Sequence, residues 1–241
     1  MKYFALLSIF LNSFNFYAQN ESSISTYYKW FDSIIDISNT NLLNGIEFKE
    51  KYRTIEDNNQ YFLTKQFLPG YVVYDGQPYY DIPMKYDIHS HELIIKLTNK
   101  NGYFAIQLLK EHIESFQIDN HRFINKSQLV SMATSDSYKG FYEVLSRNQN
   151  LSLFKKHIKN IQQRRNDRFA YSAFIYKNEF LIHYKDKISS INSKKNLIQL
   201  FPEQKKAINA FYKKNRVLMR FNYDKFLVNL MGYLNNLLKT T

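Results

Sequence analysis

Two histidines, His89 and His91, stand two residues apart, with Asp87 and Glu92 at their flanks. On an extended strand, residues i and i+2 share a face, so both imidazoles could reach one divalent ion and support metal-assisted hydrolysis. A third ligand would have to come from a distant segment, such as His112, His121 or His183, and none of these stands at a spacing that specifies a metal site. The competing reading is a hairpin tip, where polar residues collect.

A second pattern is the dipeptide Tyr-Asp, repeated at steps of six as Tyr74-Asp75, Tyr80-Asp81 and Tyr86-Asp87. Paired carboxylates would suit acid–base chemistry. Laid out as a strand, however, Tyr80, Ile82, Met84, Tyr86 and Ile88 share one face, and Asp81, Pro83, Lys85 and Asp87 share the other. At about 3.3 Å per residue, Asp81 and Asp87 would be roughly 20 Å apart. A glycosidase pair needs about 5–10 Å. The echo therefore reads as sheet grammar, with phenols in the core and acids in water. Pro83 removes a ladder donor and favours an edge or a bulge.

A third candidate is the basic run Lys155, Lys156, Lys159, Arg164, Arg165 and Arg168, opposed only by Asp167. It could form an anion-binding face for an envelope polyanion, and otherwise it is a solvated surface. Residues 1–150 hold 14 Lys/Arg against 16 Asp/Glu, whereas residues 151–241 hold 19 against 5, so the net +12 belongs to the C-terminal part. Aromatic interleaving of the kind that stacks bases is weak here, which argues against nucleic acid.

Other chemistries lack their signatures. There is no G-x-S-x-G elbow and no glycine-rich phosphate loop among the six glycines. With no cysteine, thiolate catalysis, disulfides and a lipoprotein anchor are excluded. No cofactor is expected.

The elements that would position these residues follow from periodicity. Residues 24–37 carry a helical stripe of Tyr27, Trp30, Phe31, Ile34 and Ile35. Between about Tyr61 and Tyr184 the period is two. Turn signals fall at Asp75-Gly76, Asn99–Gly102, His89–His91 and Asp119-Asn120, and eight to ten antiparallel strands are expected. One strand is expected over Gly140–Arg147. Another hairpin is expected from Phe169–Tyr176 and Phe180–Lys185, turning at Lys177–Glu179. After Ser190 the period returns to 3.6. Ser193 is placed as a helix cap, Pro202 as the start of the next helix, and Tyr223, Phe226, Leu227, Leu230, Leu234, Leu237 and Leu238 as one buried stripe.

The start of the chain, with Lys2, an apolar stretch from Tyr3 to Phe16, and Ala18, has the layout of a secretory signal cut after Ala18. No later segment approaches the length of a membrane-spanning helix. Tyr and Phe number 20 each, ample for a core.

The segments Asn44–Thr54, Gly70–Leu97 and Gly140–Arg147, and then "LIQLFPEQKKAINAFYKKN", resemble a set of exported Bacteroidota proteins of unknown function. The likeness spans most of the chain, with G-x-x-x-Y-D-G-x-x-Y…K-Y-D…E-L as its marker. It implies a β-rich envelope or secreted protein with a helical C-terminal part, and it supplies no active-site residues.

Together these readings predict an α+β chain, mainly antiparallel. Residues 1–18 are a signal peptide, and 19–190 hold an N-terminal helix and a curved sheet, sandwich or half-barrel. Residues 191–241 form helices packed on that sheet. The function expected is an exported, non-catalytic binding or scaffolding protein, periplasmic or at the cell surface. Its partner would be an envelope component or a small ligand. A pocket lined by Asp, Glu and His from separate strands would count against the non-catalytic part of that reading.

Overall fold

A computed structural model describes residues 40–99, 102–125, 140–185 and 187–239. The expected signal peptide and the helix at 24–37 lie outside the described residues.

Among the described residues, eleven antiparallel strands form one open sheet. They are β1 Gly45–Glu47, β2 Leu68–Tyr74, β3 Gln77–Asp87, β4 Glu92–Asn99, β5 Gly102–Leu108, β6 Ile113–Ile118, β7 His121–Asn125, β8 Phe141–Arg147, β9 Leu151–Arg165, β10 Ala170–Tyr184 and β11 Lys187–Ser190. Their spatial order is β1-β5-β4-β3-β2-β6-β7-β8-β9-β10-β11. The helices α1 Lys194–Leu200, α2 Lys205–Lys214, α3 Arg216–Phe221 and α4 Tyr223–Lys239 follow. The chain is therefore α+β with a curved, mainly antiparallel sheet and C-terminal helices. Among the described residues no helix is long and apolar enough to cross a membrane.

Short turns set the register. Asp75 and Gly76 both have positive φ, 52° and 76°, which gives the tight turn joining β2 to β3. Asp119, at φ 52°, occupies the corresponding place between β6 and β7.

Curvature is forced by the connections. The strands β5 and β6 flank opposite sides of the β4-β3-β2 block, so a flat sheet would hold them about 19 Å apart. They are joined only by residues 109–112, which reach about 17 Å when fully extended. The block must curl. Bulges at Gly70/Val72, Val73/Tyr74 and Val144/Ser146 supply the bend. As a result Tyr86 of β3 packs on Phe141 of β8, four strands away, with ring centroids 5.8 Å apart.

This half-barrel encloses an aromatic core of Tyr74, Tyr86, Phe116, Phe123 and Phe141. A strap, residues 48–67, crosses its mouth. The Phe48 N–H donates to Ala105 O on β5, and Tyr61 bridges Asp87 on β3. At the other end Asn58 makes a reciprocal pair with the backbone of Phe174 on β10, at 3.0 and 2.6 Å.

The strap changes the expected fate of the Tyr-Asp strand. Met84, Tyr86 and Ile88 are buried as the alternation requires. Asp81, however, adopts φ 56° at the bulge, and Tyr80 turns out of the core to pack on Tyr71. Asp87 is not in water. It is 3% exposed beneath the strap, where its Oδ1 accepts from the N–H groups of His89 and Ser90 at 2.8 and 3.0 Å. Lys85 is buried beside it, with its ammonium 4.0 Å from the Tyr61 ring centre and 3.5 Å from Glu50.

Two further expectations are corrected. Lys177–Glu179 is no turn, because β10 runs unbroken through it and pairs with β9 over all fifteen residues. Pro202 precedes α2 by three residues and accepts the Lys205 N–H in a turn. Ser193 does cap α1, its hydroxyl accepting from Asn196 N at 3.3 Å. Ser193→Ala is expected to cost about 1 kcal/mol in chemical denaturation, and an unchanged midpoint would show that the cap is idle.

The helical layer buries the α4 stripe of Phe226, Leu227, Leu230 and Leu234 against Leu151 and Leu153 of β9 and Phe180 and Ile182 of β10. On β9 the same face continues through Lys155 to His157 and Lys159, so one concave surface runs from under the helices to under the strap.

Candidate functional site

A cavity of about 360 Å³ opens between the helical layer and the strap, lined by Tyr61, Phe62, Leu63, Ile88, His121, Lys155, His157, Lys159 and Tyr176. The strap supplies the apolar rim, including Leu63 at φ 58°, and the sheet supplies the polar wall. Three strands in succession, β8, β9 and β10, build that wall. Glu143 pairs across the ladder with Lys155, and Lys159 pairs with Tyr176, which sets Glu143, His157 and Tyr176 side by side.

Glu143 is 5% exposed and accepts from two imidazoles. His157 Nε2 lies 2.7 Å from one carboxylate oxygen, and His121 Nδ1 is hydrogen-bonded to the other. Burial pushes the Glu143 carboxyl up, but hydrogen bonds from His157 and His121 outweigh it and hold the group below its ordinary value. The His157 imidazole is pushed down by burial, against the pull of Glu143. A neutral His157 that donates through Nε2 must accept through Nδ1. The Tyr176 hydroxyl, 2.7 Å from that nitrogen, is therefore its donor. The result is a chain Tyr176–His157–Glu143–His121 drawn from four strands. Phe62 closes over both imidazoles at ring distances of 4.9 and 5.0 Å.

The two lining lysines differ. Lys155 donates to Asp224 of α4 at 2.6 Å, and this contact raises its pKa despite burial. Lys159 donates to the carbonyls of Asn59 and Tyr61 at 2.7 and 2.6 Å. These dipoles use two of its three N–H groups, and burial lowers its pKa. Chemically the cavity offers an apolar rim, one incompletely used ammonium, and a hydroxyl–imidazole–carboxylate chain able to hold or pass a proton.

The residues singled out by spacing are divided by the structure. His89 Nδ1 bonds Lys159 O at 2.8 Å, and His91 Nδ1 bonds the Tyr86 hydroxyl at 3.1 Å. Among the described residues no group of three or more His, Cys, Asp or Glu could hold a metal ion. Of the basic run, Lys155 and Lys159 line the cavity, Lys156 lies on the opposite face of β9 against Tyr142, and Arg164, Arg165 and Arg168 are exposed at the far end of the β9–β10 hairpin. Those arginines begin nine residues beyond Lys155, about 30 Å along the strand. Spacing missed Glu143, His157 and Tyr176. The available signal was alternation: His157 shares a strand face with Leu151 and Leu153, and Glu143 follows the buried Phe141 and Tyr142.

In comparisons with protein families, with curated proteins and with solved structures, nothing matches the chain.

Proposed function

We propose that the chain is an exported binding protein of the bacterial cell envelope whose cavity holds a small amphiphilic molecule with an anionic head group. The observation that carries this reading is the half-buried Lys159 ammonium, held by two backbone carbonyls, at the wall of a cavity with an apolar side formed by Phe62, Leu63 and Ile88. An ammonium desolvated this way gains more from an incoming carboxylate than a solvated one does. The apolar side takes the remainder of the ligand, and the cavity volume falls in the range of small-molecule sites.

The probe is an anilinonaphthalene sulfonate, an apolar fluorophore with one anionic group. Saturable one-to-one fluorescence enhancement is expected, with displacement by decanoate about tenfold more effective than by decanol. Leu63→Asp, at an exposed rim position, is expected to abolish enhancement without loss of fold. No saturable binding, or binding indifferent to Leu63→Asp, overturns the proposal.

The Tyr176–His157–Glu143 chain favours a second reading, acid–base catalysis on the bound molecule, with the Tyr176 hydroxyl as the proton carrier. Tyr176→Phe separates the two. It leaves probe affinity within about threefold if the chain only orients, and it removes turnover if the hydroxyl carries a proton.

A further inference from the structure

The helix α3 presents apolar side chains to solvent. Val217 is 70% exposed and Phe221 is 86% exposed, and neither is covered by the sheet or by the helices on either side. They are four residues apart on a helix and therefore form one vertical stripe. The opposite side of the same turn, Leu218 and Met219, packs into the helical core, so the exposed stripe is held rigidly outward.

The surroundings are strongly basic. Lys213, Lys214, Arg216, Arg220 and Lys225 are all exposed around the stripe. From Lys205 to Lys239 the sequence has eight Lys/Arg and a single acid, Asp224. That acid is already engaged by Lys155 on the concave face. A phenyl ring and an isopropyl group ringed by cations match the interface of an anionic bilayer, where rings enter the acyl boundary and ammonium or guanidinium groups meet phosphates. A nucleic acid or an acidic glycan would use the cations and leave the stripe in water.

We propose that α3 docks the protein on an anionic lipid surface, with Phe221 and Val217 entering the acyl boundary and the basic ring lying on the headgroups. Helices α2 and α4 act as the rigid frame. This inference is independent of the cavity: it holds or fails whatever Lys159 binds.

The test is cosedimentation of the purified protein with vesicles of phosphatidylglycerol and phosphatidylcholine. Binding is expected to rise with phosphatidylglycerol content, by about fivefold per basic residue engaged, and to fall with salt. Phe221→Ser is expected to weaken partition by about tenfold or more with every cation in place. Its thermal midpoint should not move, because the ring makes no core contact. Three results overturn the proposal: unaltered vesicle binding by Phe221→Ser, equal binding to pure phosphatidylcholine, or no vesicle binding, whether alone or together with self-association that Phe221→Ser abolishes. Such self-association would assign the stripe to a second copy of the chain.

Discussion

Glu143→Ala is expected to lower the unfolding free energy by about 3 kcal/mol at neutral pH. The substitution removes a carboxylate that accepts from two imidazoles in a site with 5% exposure. The two donors do not suffer equally. His121 has a side chain about a third exposed, at 35%, and can turn to water. His157 is 5% exposed and roofed by Phe62, so its Nε2–H is orphaned at a cost of about 1–3 kcal/mol. The void left by the side chain adds about 1 kcal/mol more. Double-mutant cycles make the asymmetry measurable. Coupling of Glu143 to His157 is expected near 2 kcal/mol, and coupling to His121 below about 1 kcal/mol. Glu143→Gln should lose less, since the amide oxygen still accepts one of the two bonds. Urea denaturation of the four single variants and two doubles supplies the numbers. Equal couplings would show that burial does not govern this cluster, and a loss under 1 kcal/mol for Glu143→Ala would show that the pairings are not held in solution.

The same cluster shows what a sequence exposes and what it hides. The turns were legible because their chemistry is local: Asp75-Gly76 must take positive φ, and Ser193 must face an unsatisfied helix N-terminus. The buried stripe of α4 was legible because a helix repeats its face every turn. The run Lys177–Glu179 misled because polar residues mid-strand look like a turn. They are tolerated because β11 pairs with β10 only from Leu181 onward, so the preceding stretch is a sheet edge open to water. Burial of Asp87 and Lys85 was hidden for the converse reason. Alternation says which face a residue takes, but not that a strap from residues 48–67 will cover that face. The cavity was hidden most completely. His121, Glu143, His157 and Tyr176 are 22, 14 and 19 residues apart, intervals set by strand and loop lengths rather than by chemistry. Only the order β7-β8-β9-β10 brings them together.

Between pH 6.5 and about 4 the protein is expected to lose about 3 kcal/mol of stability through His91. Burial, then the positive charges of Lys156 and Lys110, then His89, push its pKa from 6.5 to about 4. Geometry explains why the ring cannot escape. Nδ1 is hydrogen-bonded to the Tyr86 hydroxyl in the aromatic core, and Gly140, at φ 91°, lies so close that a Cβ there would come within 2.6 Å of the ring. Well above pH 6.5 the imidazole is neutral in both states and contributes nothing. As pH falls below 6.5 the unfolded chain takes up a proton that the folded chain refuses, and stability drops until the folded pKa is reached. His157, also lowered by burial, adds to the same limb with the same sign. Glu143 acts lower. Its carboxyl, held below 4.5 in the fold, gives stability that is present above 4.5 and is lost as pH falls through the folded value. His91→Asn isolates the first effect, because asparagine tolerates the positive φ of 56° at this position and does not titrate. Unfolding free energies of the variant measured across this range should slope much less than the parent's, the residual belonging to His157 and, with opposite sign, to Asp87, whose carboxyl burial pushes up. A variant that keeps the full parental slope would mean that His91 takes up its proton freely in the folded state, and that the contact with Gly140 opens in solution.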